Sequence, residues 1–196
     1  MTAGGAREGD DLDQVRGPAI AGAPDAARPT RRRARWGVFA GLAALVIVVD
    51  QLTKAWLVSA VGPGGAIEVV GDWLSLIHGR NNGGLFGLFE GSAIVLAVAS
   101  MAVIAIIVVY HARSRPSLVL STALGLLLGG AIGNLIDRLR LGYVIDFVDA
   151  GIGTLRFYTF NVADSAISLS IVLLIVLALF PGLAGGGADE PDGADV

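Results

Sequence analysis

Two polar motifs decide the fold of this chain: Gly133-Asn-Leu-Ile-Asp-Arg138, at the end of one apolar segment, and Phe160-Asn-Val-Ala-Asp164, at the start of another. Segment 117–136 carries no charged residue before Asp137, and segment 162–180 carries none after Asp164. If both are membrane helices joined by the loop between them, Asp137, Asp146 and Asp164 lie near one face of the bilayer. Ionisable groups are costly there and are functional by default. The motifs therefore indicate acid–base chemistry on a membrane-embedded substrate.

The composition is that of an integral membrane protein. Hydrophobic residues make up 54% of the 196 residues and charged residues 16%, with a mean hydropathy of +0.71, whereas soluble domains carry about 25% charged residues. The absence of cysteine excludes disulfides, thiolate metal sites, a cysteine nucleophile and a lipid anchor on a cysteine of this chain. The two histidines, His78 and His111, are too few and too separated for a zinc site, so we predict no metal.

Four apolar blocks of about 20 residues, each long enough to cross a bilayer, fill the middle of the chain. They predict helices over residues 36–60, 92–110, 117–136 and 162–180, within one membrane domain spanning 36–181. We expect 1–35 and 182–196, which have almost no large apolar residues, to be disordered tails. A cleaved signal peptide is an alternative for the first block, because Val58-Ser-Ala60 resembles a cleavage site. The long preceding tail and the interruption by Asp50 and Lys54 argue against it.

Basic residues set the predicted orientation. Arg31-Arg-Arg33 and Arg35 precede the first block, and His111-Ala-Arg-Ser-Arg115 joins the second and third. Both therefore belong on the cytoplasmic side by the positive-inside rule. Four crossings then leave both termini in the cytoplasm and turn the loops 61–91 and 137–161 outward.

The two outer loops carry strand-like runs. Ala66–Val70 and Trp73–Ile77 flank the turn-like pair Gly71-Asp72, and Val144–Val148 and Thr154–Phe160 flank a second, glycine-containing turn. We therefore predict an α-helical integral membrane protein of four transmembrane helices, with a small β-structure on the outer membrane face.

Three acids near that face differ in their surroundings. Asp146 lies between apolar residues in a strand-like run, where desolvation raises a carboxyl pKa. Asp164 begins the fourth block, where the positive end of the helix dipole favours an anion. Two close carboxylates that share one proton can activate water and protonate a leaving amine. The residues alone leave open whether Asp137 or Asp146 is the partner of Asp164.

The first block contains a possible ion pair. Asp50 and Lys54 are four residues apart, so they share one helix face and can neutralise each other. The alternative is a Ser–Lys peptidase dyad, with Lys54 as base and Ser59 or Ser92 as nucleophile. Nothing in the spacing singles out either serine.

The third block combines small and polar residues. Its glycines, which allow close approach of helix backbones in a bilayer, are Gly125, Gly129, Gly130 and Gly133. Asn134 and Asp137 share one helix face, so an amide there can orient a carboxylate. Arg138 can pair with an acid or extend to lipid phosphate.

Five motifs also carry a family resemblance. They are Asp50-Gln-Leu-Thr-Lys54, Arg80-Asn-Asn-Gly-Gly-Leu-Phe-Gly87, Gly129-Gly-Ala-Ile-Gly-Asn-Leu-Ile-Asp-Arg138, Val144-Ile-Asp-Phe147 and Phe160-Asn-Val-Ala-Asp-Ser-Ala-Ile167. Each is weak alone, but together and in this order they resemble the bacterial lipoprotein signal peptidases (signal peptidase II), membrane aspartic peptidases, over residues 36–180. One departure is Leu85, which is bulkier than the alanine usual in the family and could alter how a substrate lies there.

The resemblance implies that Asp146 and Asp164 are the catalytic dyad. It implies supporting or substrate-binding roles for Asp50, Lys54, Asn81, Gly83, Asn134, Asp137, Arg138, Asn161 and Ala163. The implied activity is removal of signal peptides from diacylglyceryl-modified prolipoproteins by cleavage N-terminal to the lipidated cysteine, without cofactor or metal. The implied partners are that substrate and membrane lipids, with no nucleic acid, for a monomer in the bacterial cytoplasmic membrane.

Two alternatives come from other functional classes. A proton-coupled transporter would distribute its acids across the depth of the bilayer. A non-catalytic membrane scaffold would give no reason for the acids at all.

Overall fold

The structure, a computed structural model, describes residues 27–83, 93–114 and 116–183. The helices are α1 (Ala27–Ala60), α2 (Ala93–Arg113), α3 (Leu118–Leu141) and α4 (Val162–Leu179), and the strands are β1 (Ala66–Val70), β2 (Leu74–Asn81), β3 (Val144–Ile152) and β4 (Leu155–Arg156). A short 3-10 turn, Pro181–Leu183, follows α4. All four helices are long and apolar enough to cross a membrane. The predicted class, four transmembrane helices with a small β-structure, is confirmed, while the outer-face location of the sheet stays a prediction.

Three helices extend beyond their predicted limits. Helix α1 begins at Ala27 rather than residue 36, so residues 27–35 are helical and not part of a disordered tail. Their alanine and arginine residues are good helix formers, and Pro29 stands in the first turn, where a missing N–H costs no hydrogen bond. Helix α2 ends at Arg113, and α3 continues past Asp137 to Leu141. The remaining predicted tail residues, 1–26 and 184–196, lie outside the described residues.

The ends of α3 are set by local chemistry rather than by charge. Its N-cap is Ser117, whose hydroxyl accepts a hydrogen bond from the Leu120 N–H at 3.2 Å. Its C-cap is Gly142, with φ of 80°, whose N–H donates to the Arg138 carbonyl at 3.1 Å. A charged residue such as Asp137 does not by itself end a helix, so α3 is longer at its C-terminal end than the apolar block from which it was predicted.

Helix α3 is the centre of the bundle and packs against α1, α2 and α4. Its glycines make this possible, as predicted. A Cβ at Gly130 would lie 2.5 Å from the Ala163 carbonyl oxygen of α4, and a Cβ at Gly133 would lie 2.7 Å from Asp50 Oδ2 of α1. The close approach of three helix backbones therefore depends on the absence of side chains at these positions.

Two apolar clusters hold the fold together. One joins α1, α2 and α3 around Phe39, Ile107 and Leu128. The other attaches the sheet to the end of α1 and consists of Leu57, Val61, Ile145 and Phe147. The second cluster fixes β3 over the end of the helix bundle, and β3 carries Asp146.

The two predicted hairpins form one antiparallel sheet of strand order β1-β2-β3-β4. Pairing of β2 with β3 aligns Leu76 with Val148 and Gly79 with Asp146, so β2 has one extra residue between these pairs. The second predicted hairpin differs from expectation, because the strand expected at 154–160 is reduced to Leu155–Arg156. The chain then returns beside β3, where Phe160 forms a bridge with Val148.

Candidate active site

Asp146 is buried in the sheet, with only 1% of its surface exposed. The Asn81 side-chain NH₂ donates to its Oδ2 at 2.9 Å, and the Asn161 NH₂ donates to its Oδ1 at 2.8 Å. Gly79 lies opposite on β2, where a Cβ would come within 2.7 Å of the Asp146 carbonyl oxygen. This glycine lets β2 approach closely enough for Asn81, two residues on, to reach the carboxylate.

Burial raises the pKa of Asp146 to about 6. The carboxylate of Asp164 acts in the same direction, while the two amide hydrogen bonds and the charge of Lys54 oppose the shift. Desolvation is the largest cause, as the apolar neighbours in the sequence predicted. Asp146 is therefore a carboxyl group that can exchange a proton close to neutral pH.

Asp164 lies in the first turn of α4 and is half-buried. It forms a capping box with Asn161: the Asp164 N–H donates to Asn161 Oδ1 at 2.9 Å, and the Asn161 N–H donates to Asp164 Oδ2 at 3.2 Å. The Asn134 NH₂ donates to its other oxygen at 2.8 Å. These hydrogen bonds and the helix dipole each stabilise the carboxylate form of Asp164.

Asn161 joins the two acids. Its backbone N–H contacts Asp164, and its side-chain NH₂ contacts Asp146. The bridge between Phe160 and Val148 explains this placement, since the Phe160 carbonyl accepts hydrogen bonds from the Phe147 and Val148 N–H groups at 3.1 and 2.8 Å. Asn161 is thus a contact residue that Asp146 and Asp164 share, and their partnership as a catalytic dyad stays a prediction.

Asp50, Lys54 and Asp137 form a buried charged cluster beside this pair. The Lys54 ammonium lies 2.8 Å from Asp50 Oδ2 and 2.8 Å from Asp137 Oδ2. All three side chains are at most 3% exposed. The pairing of Asp50 with Lys54 follows the prediction from their spacing, and Asp137 completes an ion-pair triad.

The two acids of this triad are further tied to the backbone. Asp50 Oδ1 accepts from the Ala163 N–H at 3.0 Å, and Asp137 Oδ2 accepts from the Ile145 N–H at 3.2 Å. The first contact links α1 to the start of α4, and the second links α3 to β3. The triad therefore joins the elements that carry Asp146 and Asp164.

Gln51 belongs to the same cluster and was missed by the sequence reasoning. Its NH₂ donates to Asp137 Oδ1 at 3.0 Å, to Asp50 Oδ2 at 3.2 Å and to the Gly133 carbonyl at 3.3 Å. The signal that could have found it is its spacing, because Gln51 precedes Lys54 by three residues and shares its helix face.

Arg138 and Gly83 lie at the edge of the site. An Arg138 guanidinium nitrogen donates to the Gly83 carbonyl at 3.4 Å, and the Gly83 N–H donates to Asn81 Oδ1 at 3.0 Å. The guanidinium also interacts electrostatically with Asp164, Asp146 and, most weakly, Asp137. Residues 84–87, the rest of the glycine-rich motif and the site of the Leu85 departure, lie outside the described residues.

The Ser–Lys alternative finds no support in these contacts. The Ser59 hydroxyl donates to the Trp56 carbonyl of its own helix at 2.7 Å, and Lys54 is held by two carboxylates. Ser92, the other candidate nucleophile, lies outside the described residues.

Comparison with known proteins identifies the family of the chain. Residues 42–180 match the family described as signal peptidase (SPase) II. The chain belongs to the signal peptidase II family. It is 37% identical over 147 residues to a lipoprotein signal peptidase of Syntrophomonas wolfei, covering 75% of this chain and 93% of that one. It is 41% identical over 140 residues to a lipoprotein signal peptidase of Geobacillus kaustophilus, covering 71% and 91%.

Signal peptidase II membership also agrees with the fold. A structure described as a bacterial membrane enzyme, solved by the in meso method at 2.3 Å, superposes with a TM-score of 0.70 at 30% identity and covers 80% of this chain and 95% of that one. The chain is therefore a multi-pass membrane peptidase. The transporter and scaffold alternatives are set aside. The acids Asp50, Asp137, Asp146 and Asp164 gather in one network of hydrogen bonds and ion pairs.

Proposed function

We propose that this member of the family is an aspartic endopeptidase whose catalytic residues are Asp146 and Asp164. The observation that carries the proposal is the contrast between acids. Within the described residues, Asp146 and Asp164 accept hydrogen bonds from amide groups and form no ion pair, whereas Asp50 and Asp137 are both paired with Lys54. A fixed cation favours the ionised form of a carboxyl group, so the two acids without an ion pair are the better placed to gain and lose a proton during catalysis.

The proposed chemistry is hydrolysis by two carboxyl groups that share one proton. One carboxylate takes a proton from water, whose oxygen attacks the scissile carbonyl carbon. The other carboxyl group donates its proton to the amide nitrogen, which leaves as an amine. The raised pKa of Asp146 supports this division, since a proton shared near neutral pH is available to both steps. The bordering residues Asn81, Asn134 and Asn161 would keep the two groups oriented.

The proposed substrate is a prolipoprotein that carries a diacylglyceryl group on cysteine, cut on the N-terminal side of that cysteine. The support is the name lipoprotein signal peptidase shared by the relatives. Such a substrate reaches the site from the lipid, so we propose a site near the outer face of the bacterial cytoplasmic membrane. The basic residues Arg32, Arg33 and Arg35 of α1 would lie at the cytoplasmic side together with both termini. We propose that a monomer, in contact with membrane lipids, is sufficient.

The test is cleavage of a diacylglyceryl-modified prolipoprotein by the purified protein. We expect Asp146→Asn and Asp164→Asn each to lose about 100- to 10 000-fold in kcat, the usual contribution of a general acid or base. Asp149→Asn is the matched control, because Asp149 lies on the same strand and is ion-paired with Arg156 away from the site. A substrate whose cysteine carries no lipid should resist cleavage. If either dyad variant cleaves as fast as the parent, the assignment fails.

A further inference from the structure

We propose that Lys54 is a positioning residue, which fixes the orientation of the Asn134 amide and so keeps a hydrogen-bond donor on Asp164. This inference rests on the proposed function of the dyad. The Lys54 ammonium lies 3.3 Å from Asn134 Oδ1, and the Asn134 NH₂ lies 2.8 Å from Asp164 Oδ1. Lys54 acts at a distance from the reaction, through one intervening side chain.

The chemistry of the amide explains why its orientation is fixed. An asparagine amide has one acceptor end and one donor end, whereas an ammonium group can only donate. The oxygen of Asn134 also receives the NH₂ of Asn161 at 3.2 Å. A flipped Asn134 would direct its NH₂ at two donors and its oxygen at the Asp164 carboxylate. Lys54 and Asn161 therefore both select the orientation that donates to Asp164.

Lys54 is itself held firmly. Asp50 of α1 and Asp137 of α3 each form an ion pair with its ammonium at 2.8 Å, and the Lys54 side chain is only 3% exposed. The carboxylates of Asp50 and Asp137 are acceptors and cannot donate to Asn134 Oδ1. Lys54 is therefore the charged donor that reaches this oxygen from α1. Among the described residues, the triad forms no hydrogen bond or ion pair with Asp146 or Asp164, so Asn134 is the side chain through which Lys54 affects their chemistry.

Removing Lys54 should change the chemical step. Once the ammonium is absent, only Asn161 opposes the flip of Asn134, and the flipped amide disfavours ionised Asp164. The charged groups that face Asp164 from the packed elements are Lys54 and Asp50 of α1, Arg138 of α3 and Asp146 of β3. The loss of the lysine charge acts in the same direction through space, so the experiment must separate the two effects.

A double-mutant cycle makes this separation. The parent carries Asp137→Asn, because Lys54→Met alone would leave two buried carboxylates without a partner. In this parent the charges of Asp50 and Lys54 cancel, so Lys54→Met changes the charge of the cluster by one unit. Its through-space effect therefore persists in every background, whereas its effect through the amide requires Asn134. In this parent we expect Lys54→Met to lower kcat by about 10- to 100-fold, as for other residues that orient a reactive group. KM should change little, and the acid limb of the kcat–pH profile should move to higher pH.

The decisive comparison repeats Lys54→Met on top of Asn134→Ala. If the lysine acts through the amide, Lys54→Met in this background lowers kcat by no more than about twofold, because Asn134→Ala has already removed the amide that Lys54 orients. If the two losses multiply, or if the acid limb does not move, the lysine acts through space or through stability alone and the proposal is overturned. Asp164→Asn in the same parent tests the proposed catalytic dyad separately from the role of Lys54. If that variant still cleaves, the dyad assignment itself fails.

Discussion

Two pairs of acids, of which only Asp164 is half-exposed, lie within one polar network, and they differ in the groups that stabilise them. Asp50 and Asp137 share the ammonium of Lys54 and receive backbone N–H groups. Asp146 and Asp164 receive amide N–H groups and have no cation within ion-pair distance among the described residues. The first pair is therefore neutralised by a shared cation, whereas the second is stabilised by hydrogen bonds from neutral groups. Burial alone therefore does not identify a catalytic acid in this fold.

The comparison also separates stability from chemistry. A buried ion pair that loses one partner leaves an uncompensated charge, which is strongly destabilising. A buried acid with only amide partners instead keeps a raised pKa and costs stability whenever it is ionised. Substitutions in the Lys54 triad should therefore act first on folding, with any effect on cleavage passing through Asn134, and substitutions in the Asp146–Asp164 pair should act on cleavage.

The largest stability effect is expected at Lys54. Lys54→Met leaves Asp50 and Asp137 without their shared cation, so we expect a loss of about 3–5 kcal/mol in the free energy of unfolding. Reversible unfolding in mixed micelles measures it. Leu52→Met is the control, because Leu52 is 65% exposed on the same helix and its replacement should change the stability little. A loss below about 1 kcal/mol at Lys54 would show that the triad does not hold the bundle together.

A smaller loss of stability is expected at the glycines where α3 approaches α1 and α4 most closely. Gly133→Ala places a methyl group against the Asp50 carboxylate, and Gly130→Ala places one against the Ala163 carbonyl. Each should destabilise by about 1–3 kcal/mol, the usual cost of overpacking. We expect Gly130→Ala also to lower cleavage, because it displaces the start of α4 and with it Asp164.

Gly41→Ala is the matched control for these two substitutions. Gly41 lies in α1, where an added Cβ would have no other atom within 4 Å, so alanine there should stabilise the helix by up to about 1 kcal/mol. If all three alanine variants have the same stability, close packing around α3 does not position the acids.

The smallest effect concerns pH. The pKa of Asp146 is about 6 in the folded protein against an ordinary 3.8, so the folded state retains a proton that the unfolded state has released. The contribution of Asp146 to stability therefore falls as pH rises from about 4 to about 6, by on the order of 2 kcal/mol. Asp146→Asn lacks this contribution. The stability difference between parent and variant should fall across this window and be flat above pH 7, and a difference that rises with pH would contradict the shift.

Much of this arrangement could be predicted from local patterns. The four spans follow from apolar length, the ion pair of Asp50 with Lys54 from four-residue spacing, and the close packing of α3 from its glycines. The strand-like runs around Gly71 also predicted the first hairpin correctly. These features depend on residues near one another in sequence, or on the bilayer thickness.

The rest depends on contacts between distant segments. Asp137 is as conspicuous in sequence as Asp146, and only the approach of α1 shows that Lys54 neutralises it. The bridge between Phe160 and Val148, which brings Asn161 to Asp146, lies in a stretch expected to be a regular strand. Gln51 was missed because its partners on α3 are 82 and 86 residues away along the chain.

The most direct test of these roles compares Asp146→Asn with Asp137→Asn in one preparation, by cleavage of a diacylglyceryl-modified prolipoprotein and by unfolding at pH 7. We predict that Asp146→Asn stays folded and loses about 100- to 10 000-fold in kcat. Asp137→Asn should lose about 1–3 kcal/mol of stability, since its hydrogen bonds to a charged group are weakened, and should cleave faster than Asp146→Asn. An Asp137→Asn enzyme that is the slower of the two while being as stable as the parent would contradict this division between the two pairs of acids.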